Sequence, residues 1–330
     1  MSQLTLNKKL FLNIIGIVVL ALIPLLTDNP YIIHVVILSS VYAIFASSWD
    51  LISGCAGQIN LGHALFFGGG GYIVAFLTLW YNIHPLLCLP LAGLSMAALS
   101  LVVGVPSLRL HGPYLAITTL AFSETIRALI LAFPEVTRGD EGFSVRAFLH
   151  GYIPNYYVSL LLMIVLVGIM HYIGNHRLKL PLAAIRQNEV VAQASGINTT
   201  KYKLLSFLIS SFCSGVAGAF FAFYRMAVTP EALTIGMTID GMTMAVIGGR
   251  GTILGSVIGA FALTFISESL RGFIYRVRHL IYAALLVFFL MLMPEGIINT
   301  LASDRIKSLF YNMCSHLLKR RAKRQVNYGS

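Results

Sequence analysis

The side chains that could do chemistry are few in this sequence, because most of it consists of apolar runs. Glu124 and Arg127 lie three residues apart within one run, so they would share a helix face and could neutralise each other. Asp240 lies in another apolar run, whereas Glu268 is close in sequence to Arg271 at the end of a run. The pair at 124 and 127 is either a structural ion pair inside a bundle or part of a pathway. Asp240 is the more interesting of the other two carboxylates.

A polar stretch interrupts the apolar sequence near residues 54–71. Gln58, Asn60 and His63 occur there among several glycines. Irregular backbone at membrane depth survives only where protein or water satisfies its polar groups. The stretch therefore indicates either a broken helix that lines a translocation path or a tight loop followed by a glycine-packed helix. For His63 alone we favour a packing role over a proton relay.

No residues with catalytic or metal-binding spacing are evident. The four cysteines, Cys55, Cys88, Cys213 and Cys314, are scattered and form neither a CxxC nor a cysteine–histidine pattern. The run GGRGTILGS lacks the lysine that a phosphate-binding loop requires. We therefore predict no catalytic residues, no metal, no cofactor and no enzymatic activity.

The composition indicates which kind of secondary structure must position these residues. The 330-residue chain is 57% hydrophobic and 11% charged, against roughly 25% charged residues in ordinary soluble domains. Its net charge of +11 lies at the ends of apolar runs and in a C-terminal tail, a pattern that argues against nucleic-acid binding. The sequence thus predicts an all-α, polytopic transmembrane helical bundle.

A membrane-spanning helix needs about 20 mainly apolar residues, and about ten segments meet or approach this length. The expected spans lie near residues 11–27, 31–50, 62–81, 85–106, 113–133, 156–174, 203–224, 233–249, 252–270 and 279–293. The segment at 233–249 is marginal, because it contains Asp240 and several glycines. We expect ten spans, with nine as the alternative.

The distribution of lysine and arginine favours ten spans, because these residues cluster in loops on the cytoplasmic side. With ten spans most of them fall on one side and both termini are cytoplasmic. Nine spans would place the basic tail, residues 301–330, outside. Arg271, Arg276 and Arg278 do not fit this arrangement. For the KRRAKR run of the tail we expect a role in orientation and in contact with anionic membrane lipid.

A short segment on the basic side is neither long nor apolar enough to span a membrane. It reads PLAAIRQNEVVAQASG over residues 181–196, bounded by a helix-starting proline and a helix-stopping glycine. The pattern predicts a short cytoplasmic helix with a modest apolar stripe. Such a helix could lie on lipid or dock a partner protein, and its residue types alone do not rank these two roles.

Several motifs in one order resemble the permease family of branched-chain amino-acid ABC importers. They are GQINLGHALFFGGGGY, GPYLAITTLAFSETIR, VTRGDEGF, LAAIRQNEVVAQASGINTTKYKLLSF, MAVIGGRGTILGSVIGA and LIYAALLVFFLMLMPEGI. The resemblance covers roughly residues 31–300. It departs from the family pattern at residues 137–142, where TRGDEG replaces a more glycine-rich loop, and this departure puts substrate or docking specificity in doubt.

The resemblance implies a membrane subunit driven by ATPase subunits in trans. Its partners would be a homologous second permease, two cytoplasmic ATPase subunits and a periplasmic or external solute-binding protein, in a bacterial cytoplasmic membrane. Residues 181–197 would be the coupling segment, which sits in a groove of the ATPase. The residues that carry this expectation are Ala184, Arg186, Asn188, Glu189, Ala192, Ala194 and Gly196.

The remaining expectations concern the path, the domains and the solute. Candidate pathway-lining residues are Gln58, Asn60, His63, Glu124, Arg127 and Asp240. Residues 1–300 would form a single transmembrane permease domain and residues 301–330 a basic cytoplasmic tail. Branched-chain amino acids are the first expectation for the solute, and related systems that import urea or short-chain amides are the alternative. A self-sufficient secondary transporter that uses the intramembrane charges is a further alternative, and a membrane-embedded enzyme is the least favoured.

Overall fold

The computed structural model describes residues 16, 18–27, 29–107, 110, 112–147 and 149–269. Helical residues lie at 18–26, and the α-helices that follow are α1 Pro30–Asp50, α2 Ala64–Leu79, α3 Pro85–Ser107, α4 Pro113–Ala132, α5 Pro134–Thr137, α6 Tyr152–Asn175, α7 Lys179–Gln187, α8 Glu189–Ala194, α9 Thr199–Arg225, α10 Ile235–Gly249 and α11 Ile253–Ser269. A π-helix, Leu51–Cys55, continues α1, and a 3₁₀ helix, Pro230–Leu233, precedes α10.

Helix α1 is the centre of the bundle. It begins at Pro30, where a proline costs no hydrogen bond, and the Asn29 side chain accepts the Tyr31 N–H at 3.0 Å. In its most apolar part, with the π-helix included, 89% of the residues are buried inside the chain. Helices α6, α9, α10 and α11 pack around it. The core is therefore built on α1, and the other helices are positioned relative to it.

Five helices in the described residues are long and apolar enough to cross a membrane. They are Pro30–Cys55, Pro85–Ser107, Pro113–Ala132, Tyr152–Asn175 and Thr199–Arg225. Helices α10 and α11 bend by 114° at their junction and add a sixth span if they form one broken span. The transmembrane bundle agrees with the prediction, but ten spans are not confirmed. The expected span at 62–81 contains a helix of only 16 residues, and that at 279–293 lies outside the described residues.

Two helices, α2 and α10, begin inside the bundle. Residues 56–63 before α2 are irregular, and the Ala64 N–H at its start donates to Thr238 Oγ1 in α10 at 3.0 Å. Just before α10, the Leu233 carbonyl accepts the hydroxyl of Ser123, which lies midway along α4, at 3.0 Å. The irregular backbone expected near 54–71 is thus present at residues 56–63, and several of its N–H groups donate to groups of the protein.

Glycines allow the closest helix crossings. A Cβ on Gly218 of α9 would lie 1.8 Å from the Phe67 carbonyl oxygen of α2, and one on Gly70 would lie 2.2 Å from the Gly215 carbonyl oxygen. Helix α2 is thus packed through its glycines. The small residues of α11 act in the same way, because a Cβ on Gly259 would lie 2.0 Å from a carbonyl oxygen of α10. The small residues of α9 and those of α11 therefore pack against other helices of the same chain.

A two-stranded antiparallel sheet ties the loop after α4 to the segment after α9. Strand β1, Phe143–Ser144, pairs with β2, Ala227–Val228, so that Phe143 is opposite Val228. Gly142 adopts a φ of 67°, and a Cβ there would lie 2.0 Å from the Val228 carbonyl oxygen. Only glycine fits this approach, so the second glycine of the TRGDEG run is required by the pairing of β1 with β2.

Candidate coupling segment and translocation path

The predicted coupling segment, residues 181–197, consists of two short helices instead of one. Helix α7 ends at Gln187, and Asn188 is extended, with a φ of −160°. The Asn188 Oδ1 accepts the N–H groups of Val190 and Val191 at 3.0 and 3.1 Å and so caps α8. The single-helix prediction was wrong because asparagine stabilises a helix start better than a helix interior. The expected stop at Gly196 is present, with a φ of 83°.

One side of the segment packs against the bundle and the other side is exposed. Leu182, Ile185 and Ala192 are buried and form a small apolar cluster with Ala56 and Leu178. The exposed side carries three large apolar side chains, and their exposed fractions are 79% for Leu180, 72% for Val190 and 59% for Val191. Of the predicted coupling residues, Arg186, Asn188, Ala194 and Gly196 are exposed, Ala184 and Glu189 are half-buried, and Ala192 is buried. Helices α7 and α8 thus present an apolar surface that the described part of the chain does not cover.

An ion pair ties α8 to the long helix α9. The Glu189 carboxylate accepts a hydrogen bond from the Lys203 ammonium group. The exposed fraction of the Lys203 side chain is 1% and that of Glu189 is 15%. A buried lysine is retained only with a partner. The pair therefore joins the predicted coupling segment to a membrane-spanning helix.

Arg186 makes a second connection, to the end of α1 and to the turn between α10 and α11. A Cβ on Gly57 would lie 3.0 Å from Arg186 Cγ, and one on Gly251 would lie 2.7 Å from Arg186 Nη1. Both glycines have positive φ, 72° and 80°. The chain thus brings three parts together around this arginine, namely the predicted coupling segment, the π-helix end and the 249–252 turn.

Asp50 lies at the centre of this junction. It is fully buried, and its Oδ1 accepts the Gly251 N–H at 2.8 Å. Arg250 Nη2 donates to the Ser53 carbonyl oxygen at 3.3 Å. The guanidinium groups of Arg186 and Arg250 both act electrostatically on the Asp50 carboxyl group. We name this cluster the charged junction, defined by Asp50, Arg186, Arg250 and Gly251.

Four of the six predicted pathway residues lie inside the bundle. The exposed fractions are 0% for His63, 1% for Asn60, 9% for Gln58 and 2% for Asp240. His63 Nε2 lies 2.8 Å from Ser48 Oγ, and its ring stacks on Phe45 with 5.1 Å between ring centroids. The Asn60 Oδ1 accepts the Gly62 N–H at 2.9 Å. These contacts order the irregular stretch before α2, which agrees with the packing role favoured for His63.

The other two predicted pathway residues lie on an uncovered face of the chain. Arg127 Nε donates to Glu124 Oε2 at 3.0 Å, so the expected ion pair is present. Its side chains are 34% and 40% exposed, for Arg127 and Glu124 respectively. The pair therefore lies on a face of α4 that the rest of the described chain covers only in part. The pair is far in sequence from the charged junction, and the structure joins it to none of the other candidates.

Sequence reasoning missed Asp50, Lys203, Arg250 and Thr238 as site residues. Asp50 ends an apolar run and reads as an ordinary interfacial residue, and Lys203 reads as a topology signal at the start of α9. The lysine gave one usable signal, since it lies 14 residues after Glu189 at the start of the next helix. The other contacts join residues up to 201 positions apart, and no local pattern reports them.

The fold and its sites define a multi-pass helical membrane protein with a short amphipathic segment tied to its spanning helices. The sequence model of the branched-chain amino acid transport system permease component matches residues 31–293. The chain therefore belongs to this family of transport permeases, as the resemblance of its motifs predicted, and it is a permease of an ABC importer.

Individual relatives extend over most of the chain. It is 29% identical over 324 residues to the high-affinity branched-chain amino acid transport system permease protein LivM of Salmonella typhimurium. The aligned region covers 89% of this chain and 76% of that protein. It is 24% identical over 297 residues to the LivH permease protein of Escherichia coli, with 80% and 93% covered. It is 22% identical over 311 residues to the probable LivM of Methanocaldococcus jannaschii, with 78% and 90% covered. No solved structure matches the chain.

Proposed function

We propose that this permease carries branched-chain amino acids into the cytoplasm and that residues 181–197 couple it to ATP hydrolysis. The observation that carries the coupling proposal is the uncovered apolar side of α7 and α8, whose opposite side is tied to the bundle by Lys203 and by the charged junction. The solute is proposed from the relatives, whose names specify branched-chain amino acid transport.

The proposed assembly is the one that membership of the family of transport permeases suggests. A second, homologous permease completes the path, two ATPase subunits bind the coupling segment, and an external solute-binding protein delivers the solute. The chain lies in a bacterial cytoplasmic membrane with both termini inside. Residues 1–300 form the permease domain, and the basic tail at 301–330 contacts anionic lipid. The chain itself has no enzymatic role and needs no cofactor.

The coupling segment acts as a lever in this proposal. Movement of the ATPases displaces α7 and α8 through Leu180, Val190 and Val191. Glu189 passes the displacement to α9 through Lys203, and Arg186 passes it to the turn between α10 and α11. Because Thr238 in the first turn of α10 accepts the N–H at the start of α2, displacement of this turn reaches the middle of the bundle. This coupling requires that the two conformations of the permease make different contacts with the ATPases.

Val190→Asp tests the coupling proposal. The side chain is 72% exposed, so folding should be unaffected, whereas a charge placed in an apolar docking surface should weaken ATPase binding by roughly tenfold or more. Val136→Asp, at a 47% exposed residue of the short helix α5, is the matched control. Copurification of the ATPases and ATP-driven leucine uptake in proteoliposomes are measured. Wild-type assembly and uptake in the Val190 variant would refute the proposed docking surface.

The same vesicles test the class and the solute. The complete importer should take up leucine, isoleucine and valine in preference to urea and short-chain amides. The permease alone should take up none of them. Gradient-driven uptake by the permease alone would instead identify a self-sufficient secondary transporter, and preference for urea or amides would overturn the proposed solute.

A further inference from the structure

Helix α4 is the least covered of the long apolar helices. In its most apolar part 28% of the residues are buried inside the chain, against 89% for α1. Its uncovered face carries Ala121, Thr125 and Ala128 in the middle of the helix, and the exposed apolar side chains of Ile117 and Leu129 flank them. The middle of this face offers little side-chain surface to lipid. It fits a surface that meets water or another protein.

The Glu124 and Arg127 pair lies on the same side of α4. Charges in a membrane-spanning helix normally face a bundle interior or a water-filled cavity. The described part of this chain provides no such interior for them, since both side chains are more than a third exposed, Arg127 at 34% and Glu124 at 40%. A polar path beside α4 therefore accounts for the pair better than lipid does.

The pair keeps hydrogen-bonding capacity that it does not use internally. Arg127 donates through Nε to Glu124 Oε2, and within the described ranges no other hydrogen bond of either side chain is found. The two terminal nitrogens of the guanidinium group can bind a carboxylate through two parallel hydrogen bonds. Glu124 Oε1 can accept from an ammonium group. The two charges thus match, side by side, the two charges of an α-amino acid.

An open cavity lies beyond the pair, at the C-terminal end of α4. Leu131, one helical turn after Arg127 and on the same face, lines a cavity of about 500 Å³. Arg138, Asp140 and Glu141 line its other side. The cavity is large enough to admit an amino acid, and it carries both signs of charge. A solute leaving it along α4 would reach Arg127 within about 6 Å, the length of one turn.

We propose that Glu124 and Arg127 form a passage site for the zwitterionic head group of an α-amino acid that enters through this cavity. The solute carboxylate binds the terminal nitrogens of Arg127, and its ammonium group binds Glu124 Oε1. The internal ion pair competes with the solute, so binding is weak. Weak binding suits a transport path, in which the solute must leave as well as enter. This inference rests on the proposed function, since it deepens the account of the solute.

Charge neutralisation in the complete importer tests the site. Glu124→Gln and Arg127→Gln should each lower ATP-driven leucine uptake roughly 10- to 100-fold, the loss expected for a hydrogen bond to a charged group. Thr125→Val, on the same face and without a charge change, is the control and should retain uptake. Copurification of the second permease and the ATPase rate should stay at the wild-type level in all three variants.

The double variant Glu124→Gln with Arg127→Gln separates a binding role from a structural one. A site for a zwitterion loses both contacts, so uptake should fall at least as far as in either single variant. If the pair only balances its own charges, the neutral double variant regains uptake, and this result would overturn the proposal. So would loss of the second permease from the purified variants, since it would assign the pair to the subunit interface.

A leucine analogue with a diazirine in its side chain provides a direct probe. On illumination of the wild-type complex it should label peptides of α4, and labelling should drop in the double variant. Unchanged labelling would count against the site. Failure of the proposed function is distinguishable, because the wild-type complex would then show no ATP-driven leucine uptake at all.

Discussion

Replacing Glu189 by glutamine removes one charge from the connection between α8 and α9 and hardly changes the shape of the side chain. The structure makes the consequence specific, because the Lys203 partner is 1% exposed. In the variant the lysine ammonium group remains buried beside a neutral amide. The amide oxygen can still accept one hydrogen bond, so the loss of stability measures mainly the effect of the missing charge.

The expected cost follows from the burial of the pair. Removing one partner of a buried ion pair destabilises a protein by roughly 3–5 kcal/mol. Because Glu189 is 15% exposed and glutamine still accepts a hydrogen bond, we expect the lower end, roughly 3 kcal/mol. At about 2 °C per kcal/mol for a chain of this size, the melting temperature should fall by roughly 6 °C.

Thermal unfolding of the purified permease in detergent measures this change. Glu141→Gln makes the same chemical change at an exposed residue and should leave the melting temperature within about 1 °C, because surface substitutions change stability by at most about 0.5 kcal/mol. Adding Lys203→Met to Glu189→Gln removes both charges and should recover most of the lost stability. A melting temperature equal to wild type in the single variant would show that the pair does not hold α8 to α9.

Two further changes test the junction and the packing. Arg186→Gln should preserve ATP hydrolysis but lower leucine uptake per ATP severalfold, since the guanidinium group that acts on Asp50 is lost; an unchanged ratio in proteoliposomes would exclude Arg186 from coupling. Gly218→Ala should lower the melting temperature by several degrees, because its Cβ would lie 1.8 Å from the Phe67 carbonyl oxygen and overpacking costs roughly 1–3 kcal/mol. Gly168→Ala, with no atom within 4 Å of the new Cβ, is the control and should not lower the melting temperature, because alanine favours a helix interior more than glycine does.

Hydrophobic length was sufficient to predict the class and most of the long helices. Prolines at 30, 85 and 113 begin α1, α3 and α4, because the missing N–H costs nothing at a helix start. The predicted spans at 31–50, 85–106 and 113–133 lie close to these helices. The predicted span boundaries were less accurate near residues 62 and 233. There α2 and α10 begin inside the bundle, and the apolar composition of the sequence continues through irregular backbone.

Local residue types also located the two short helices of the proposed coupling segment, but they did not indicate the break between them. Proline and glycine marked the approximate ends of residues 181–196, whereas the break at Asn188 depended on a competition between a helix interior and a helix cap. Both conformations are accessible to asparagine. Packing of Leu182, Ile185 and Ala192 against Ala56 orients the two helices, and such packing involves residues far apart in the chain.

The sequence by itself determined that the chain crosses a membrane, where most of its long helices run and to which family its motifs belong, because these properties depend on runs of neighbouring residues. Only the tertiary structure decided which of the polar residues are buried and which are exposed. His63 and Asp240 are enclosed by the bundle, while Glu124 and Arg127 lie on an open face. Asp50, Arg186 and Gly251 meet through contacts that cross up to 201 positions of sequence. Burial and long-range contacts depend on how the helices pack against one another. The helical periodicity of one segment does not specify which other helices that segment contacts.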